Sequence, residues 1–352
     1  MTESTAPALA PGLRIAGTSF PWRPRLLLVT LLLVGTAFLL FCVSIAVGDF
    51  PIGLPRVLAT LFGRGERVDE FVVMDLRLPR AAAGLVVGVA LGISGAITQS
   101  VARNPLASPD ILGVTGGASA VAVFLVTVSG GAASALAGSI GISAAALAGG
   151  LGTGLLVYLL AWRRGIDGFR LILIGVAVSA AAEAVTSWLL TAADIRDVAR
   201  AQAWLVGSLD GRSWEEVRPA LWGTAALLVV VAAAAFQFRP LHLGDDVAAG
   251  LGVRYSRVRA VLLLCAVLLA GTAVSAAGPV PFVALMAPQA AMRLTRSATP
   301  PLAASGAVGA VLLIGADLVS RTVLPVSLPV GVVTAAIGGP FLVHLLVRAN
   351  RR

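Results

Sequence analysis

Ten stretches of this 352-residue chain are apolar for long enough to cross a hydrocarbon layer, and no other feature narrows the fold as far. They fall at about 26–47, 80–101, 113–129, 135–162, 170–192, 217–238, 260–277, 279–294, 302–320 and 330–347. A spanning helix needs about 20 mostly apolar residues, because its backbone finds no water to bond with inside the layer. The eighth stretch is short and contains Pro279, Pro281 and Pro288, which predicts a broken or kinked helix. Such backbone is tolerated at membrane depth only where protein buries it or a cavity borders it. The expected fold is an all-α polytopic membrane protein with one transmembrane domain over 26–348. Residues 1–25, rich in Ala, Pro, Ser, Thr and Gly, are expected to form a disordered tail. Only 12% of the residues are charged, against about 25% in a soluble domain, which excludes a soluble globule.

Charge then sets the orientation. With the amino terminus inside, sixteen of the 26 arginines fall on inner segments and ten on outer ones, while the acidic residues concentrate outside. Basic residues gather on the cytoplasmic side, so both termini are predicted there and the chain reads as a multi-pass protein of the cell membrane. The net charge of +9 is thereby explained without nucleic acid. Lysine is absent, which excludes Schiff-base chemistry and the phosphate-binding loop with its obligatory lysine. Cys42 and Cys265 lie in apolar runs, His242 and His344 are far apart, and no group has zinc-ligand spacing. The stretch Leu39-Leu40-Phe41-Cys42 is not expected to be lipidated, because Phe41 stands where a small residue is needed.

Small residues crowd the spans. Gly84, Gly88, Gly92 and Ala96 recur every fourth position, as do Gly150 and Gly154, which predicts closely packed helices. Glu183 is the clearest ionisable group within a span, and its expected role is a hydrogen bond to a neighbouring helix. One such carboxylate is thin support for an ion-coupled carrier. Gly92-Ile93-Ser94-Gly95 has the form of an intramembrane serine protease site with His344 as its base, but Ser94 reads more simply as another small packing residue.

Three loops carry information. Arg77-Leu78-Pro79-Arg80 stands at the outer mouth of the second span, with Pro79 in the first turn of the following helix. Its arginines suit either interface snorkelling or bidentate carboxylate recognition. The outer stretch 194–218 is amphipathic, with Trp204, Trp214 and the later Trp222 as interface anchors. The inner loop 239–259 holds Asp245 and Asp246, which favour a helix start, and Gly250 and Gly252, which would end it. A helix this short needs a partner to hold its shape.

These segments together resemble one family. The chain is similar to the permease subunit of ABC importers for iron chelates and cobalamin, the FecCD/BtuC type. The similarity is carried by Arg77-Leu78-Pro79-Arg80, Gly88, Gly92, Ser94-Gly95-Ala96, Gln99, and Arg103-Asn104-Pro105-Leu106-Ala107-Ser108-Pro109-Asp110-Ile111-Leu112-Gly113. It continues through Trp204-Leu205-Val206-Gly207-Ser208, Leu243-Gly244 with Leu251-Gly252-Val253, Ala316-Asp317 with Arg321, and Leu328-Pro329-Val330-Gly331. The resemblance implies a BtuC-like fold that moves an iron–siderophore complex inward, with haem or cobalamin as alternative cargo. It implies four kinds of partner: a second permease, two ATP-binding subunits, an extracytoplasmic binding protein and the bilayer. It also implies that this chain holds no cofactor, ATP and Mg being bound by the partner ATPase.

Residue by residue, the resemblance implies docking of the binding protein at Arg77, Arg80 and Arg321, and a pathway and packing motif of Gly88, Gly92, Gln99, Asn104, Pro105 and Gly113. It implies ATPase coupling through Leu243, Gly244, Asp245, Asp246, Ala249, Gly250, Leu251 and Gly252. Gln289 stands where the family commonly has His, and Ser327 where it commonly has Glu, as expected of one member of a non-identical pair.

Overall fold

The computed structural model describes residues 12–15, 18–21, 23–48, 50–127, 132–162, 168–241, 255–324 and 326–349. The coupling segment 243–252 lies outside them. Ahead of the first span, β1 (Gly12–Ile15) pairs antiparallel with β2 (Thr18–Pro21). The membrane domain is helical. Its first half comprises α1 (Pro24–Ala46), α2 (Leu54–Leu61), α3 (Arg67–Glu70), α4 (Leu78–Ala102), α5 (Val114–Thr127), α6 (Ala132–Ala161) and α7 (Gly168–Ala192). After the short α8 (Ile195–Leu205) come α9 (Trp214–Leu241), α10 (Tyr255–Ala277), α11 (Val283–Thr295), α12 (Leu302–Thr322) and α13 (Val330–Ala349).

Eight described helices are long and apolar enough to cross a membrane. The third and eighth predicted spans form shorter helices, α5 with 14 residues and α11 with 13. A non-helical or 3₁₀ segment precedes each of them. Ahead of α5, Arg103 adopts left-handed backbone (φ 49°) and a 3₁₀ turn spans Pro109–Leu112. The turn seats on α7 at Gly175, where a Cβ would lie 1.6 Å from the Ile111 carbonyl oxygen. Ahead of α11, residues 278–282 are non-helical and Phe282 is left-handed (φ 67°). The break predicted from the prolines is therefore present, and it precedes Pro288, which the helix accommodates.

The second span departs from expectation at its start. Pro79 was expected to open the helix, but helical backbone runs from Arg67 to Ala102 through a π-helical turn at Phe71–Arg77. A proline ring inside an α-helix strikes the carbonyl four residues before it, and a widened turn moves that carbonyl aside. The turn also frees backbone acceptors, and Trp214 Nε1 donates to the Met74 carbonyl at 2.9 Å. Trp214 is thus tied to protein, while Trp222 is 71% exposed, as an interface anchor requires.

The core forms around α4, which packs on α12, α10, α11 and α9. Nearly all of α4 from Ala83 to Val101 is buried. By contrast α1 exposes Leu27, Leu31, Phe38 and Leu39, the surface a bilayer demands of an outer helix. Lipid supplies no hydrophobic drive between helices, so close backbone approach must hold the bundle together. The seam of α4 with α12 shows it: a Cβ on Gly92 would sit 2.2 Å from the Ser305 oxygen, and one on Gly88 2.6 Å from Ala310 Cα.

Candidate functional site

At the end of the bundle where α4 begins, α4, α12 and the segment between α8 and α9 meet through charge. Arg80 donates from Nε and Nη2 to Asp317 Oδ1 at 3.1 and 2.9 Å, and from Nη1 to Asp210 Oδ1 at 2.7 Å. Asp317, on α12, is 2% exposed and also faces Arg321 at 3.4 Å. The result is a chain of alternating charge, Asp210–Arg80–Asp317–Arg321, whose acidic end is open to solvent and whose centre is buried. A buried carboxylate is stable only when paired and hydrogen-bonded, and two guanidinium groups supply both.

Arg321, together with Arg77, also closes α1. The last four carbonyls of a helix have no partner within it. Here Val43 accepts from the Val47 amide at 2.9 Å. Ser44 and Val47 accept from Arg321 at 2.8 Å each. Ile45 and Ala46 accept from Arg77 Nη1 at 3.1 and 3.0 Å, and Arg77 Nη2 donates to Phe50. Arg77 is only 6% exposed, so its head is not in water as snorkelling would have it. Elsewhere Arg259 donates to Val101 at the end of α4, and Arg25 to Leu294 at the end of α11. A cation at a helix carboxyl terminus also faces the negative end of its dipole.

The other end of α4 carries the motif residues. Gln99 is buried, donates to the Leu285 carbonyl at 3.0 Å and accepts from Gln289 Nε2 at 2.7 Å. Gln289 is thereby a partner of Gln99 across the α4–α11 contact. Asn104 shapes the chain reversal: its Oδ1 accepts from the Leu106 amide at 2.9 Å while its own amide reaches Gln99 O. Gly113 has φ 76°, a left-handed conformation that favours glycine. Pro105, Gln289, Met292, Arg293 and Arg348 border a cavity of about 380 Å³. Gly88 and Gly92 lie in the α4–α12 seam, away from this cavity.

Ser94 is fully buried and donates to the Ala266 carbonyl at 2.6 Å, the environment of a packing residue. His344 is exposed on α13. Sequence reasoning missed Asp210, the solvent-facing end of the charge chain. It also missed the cap of α9, where the Ser213 amide and hydroxyl donate to Glu216 Oε2 at 2.9 and 2.7 Å and the Glu215 amide donates to Ser213 Oγ at 3.2 Å. The Ser-x-x-Glu spacing was there to be read. Asp210 had no local signal, since its partner is 130 residues away.

Comparison with known proteins agrees with this architecture. The model of the FecCD transport family matches residues 33–348. The ferric enterobactin transport system permease FepG of Escherichia coli (strain K12) is 40% identical over 329 residues, covering 93% of this chain and 98% of its own. The iron(3+)-hydroxamate import system permease FhuG of Bacillus subtilis (strain 168) is 37% identical over 328 residues, covering 91% and 98%. A solved inward-facing structure of a transporter of the metal-chelate ABC type superposes with TM-score 0.77 at 24% identity, covering 92% of this chain and 99% of its own, and so supports the fold.

Proposed function

The chain belongs to the FecCD transport family, and from that premise we propose that it is the permease subunit of an ABC importer that carries an iron–siderophore complex inward across the cell membrane. The observation that carries the reading is the family match from residue 33 to residue 348, which takes in nearly the whole helical domain. In this reading ATP and Mg are held by two separate ATP-binding subunits, and this chain contributes the path. Its inner loop, Leu243 to Gly252, presses on those subunits. A non-identical second permease completes the passage, a reading supported by Gln289 and Ser327 at positions where His and Glu are common in the family. Haem and cobalamin are the alternative cargoes.

An extracytoplasmic binding protein would deliver the chelate at the end bearing Arg77, Arg80 and Arg321. Arg80 is the most open of the three, with its side chain 18% exposed and its outward nitrogen on Asp210. A carboxylate of the binding protein would compete with Asp210 for that nitrogen, since guanidinium takes carboxylate in the same planar geometry.

The test is uptake by the complex reconstituted in vesicles with its ATPase and binding protein. Uptake of a ferric siderophore should require ATP and survive an ionophore that collapses ion gradients. Uptake that needs the gradient and ignores ATP would overturn the reading. Changing both Gly250 and Gly252 to Pro should leave insertion intact and uncouple ATP hydrolysis from uptake; normal transport would remove the coupling role.

A further inference from the structure

The seam between α6 and α10 is closed over part of its length and open over the rest. Toward mid-membrane the two helices touch: a Cβ on Gly154 would lie 2.8 Å from Val267 Cγ1, and one on Gly271 would lie 3.1 Å from Leu147 Cδ1. Toward the end of α6 and the start of α10, a cavity of about 410 Å³ lies between them. Leu155, Tyr158, Leu171, Ala260, Val261 and Leu264 border it. Leu155, Val261 and Leu264 are exposed, so the cavity is an apolar groove open along its side.

The length of the groove matches one leaflet. From Ala260 to Leu268, both on its wall, α10 advances about 12 Å. Half of the hydrocarbon layer is about 15 Å deep. A spanning helix of another subunit would run the full 30 Å or so and would meet the closed part of the seam. The groove therefore suits a chain that ends at mid-membrane.

The mouth differs in chemistry from the groove. Trp162 directly follows α6, is exposed, and its ring centroid lies 5.4 Å from that of Tyr158. Amphipathic rings of this kind sit at the level of lipid headgroups. Among the described residues, no hydrogen bond engages the Tyr158 hydroxyl. A tyrosine packed on apolar surface ordinarily finds a partner for that group. The flanking segments 163–170 and 254–259 hold six arginines and one aspartate, a net charge of +5. Arg170 is half-buried and adjoins Leu171. Arg259 adjoins Ala260 and donates to the Val101 carbonyl at 3.2 Å.

Apolar length, aromatic rim and positive charge follow one another in the order of acyl chain, glycerol ester and phosphate. We propose that this groove binds one anionic phospholipid of the inner leaflet. Its acyl chain lies between α6 and α10, an ester or phosphate oxygen accepts from Tyr158, and its phosphate faces the arginines at the ends of α6, α7 and α10. The leaflet follows from the orientation that the arginines set. Each basic residue at a membrane surface favours anionic lipid about fivefold, which separates an anionic headgroup from a zwitterionic one.

The experiment passes the complete complex through nanodiscs of equal phosphatidylglycerol and phosphatidylcholine, and native mass spectrometry then counts the lipids each complex keeps. Leu264→Trp and Val261→Trp both fill the groove from its exposed side, and each should remove one retained lipid per copy of this chain. That lipid should be phosphatidylglycerol. Arg170→Gln with Arg257→Gln should keep the lipid count and lower its preference for phosphatidylglycerol by about tenfold or more. A lipid count unchanged by both tryptophans overturns the site. Equal retention of the two lipids in the parent overturns its anionic character. Displacement of the lipid by millimolar inorganic phosphate would mean that the charge alone binds, and the groove assignment falls. A parent that keeps no lipid here, with tryptophan variants that no longer assemble, would give the groove to a subunit interface and refute the proposal.

Discussion

Replacing Arg77 by Met should destabilise the protein itself, before any question of transport. Met fills much of the volume of arginine and removes only the guanidinium. Three acceptors at the end of α1 then lose their donor: Ile45, Ala46 and Phe50. The first two share one nitrogen, so two donor groups are lost. A hydrogen bond from a charged group contributes about 1.5–3 kcal/mol, which gives a ceiling near 6 kcal/mol for the pair. Water reaching the bared carbonyls recovers part of this, but a site only 6% exposed admits little, and we expect about 3 kcal/mol. Arg77→Lys should recover less than half, because one ammonium cannot span acceptors on both sides of a planar fork. The assay is the SDS-titration midpoint of the purified complex, followed by the near-ultraviolet dichroism of its tryptophans. An Arg77→Met protein within about 0.5 kcal/mol of the parent, yet deficient in uptake, would refute the capping argument and leave Arg77 as a docking residue alone.

Three further outcomes are expected. Asp317→Ala strands Arg80 and Arg321 beside a vacated buried site and should cost about 3–5 kcal/mol, whereas Asp317→Asn should cost less; equal effects in the same titration would argue against charge as the cause. Gly95→Ala would place a Cβ 1.8 Å from the Ala284 oxygen and force α4 from α11, so folded yield should fall sharply. Gly35→Ala on exposed α1 meets nothing within 4 Å and should be neutral or stabilising by about 0.5–1 kcal/mol; similar behaviour of the two would dismiss the close-packing argument. Asp210→Asn should free one nitrogen of Arg80 and raise affinity for the binding protein severalfold at low salt, with the gain shrinking as salt rises; a fall in affinity would mean that Asp210 is itself a contact.

The helices themselves were legible because membrane insertion is decided locally. An apolar run must satisfy its own backbone, and its length alone makes it a span. The glycine ladder of α4 and the proline break before α11 were legible for the same reason, each being a short-range steric fact. What the arginines do was not. Arg77 stands in an apparent outer loop, and only the return of α1 alongside α4 and α12 brings four carbonyls within reach of Arg77 and Arg321. Pro79 likewise promised a helix start, and the π turn that absorbs it is held partly by Trp214, 140 residues away. The position of the 3₁₀ turn at Pro109–Leu112 likewise follows from its seating on Gly175 of α7. Which residues can cross a bilayer is a property of the single segment. Which charge meets which acceptor depends on loops closing over tens to hundreds of residues, and only the packed bundle settles that.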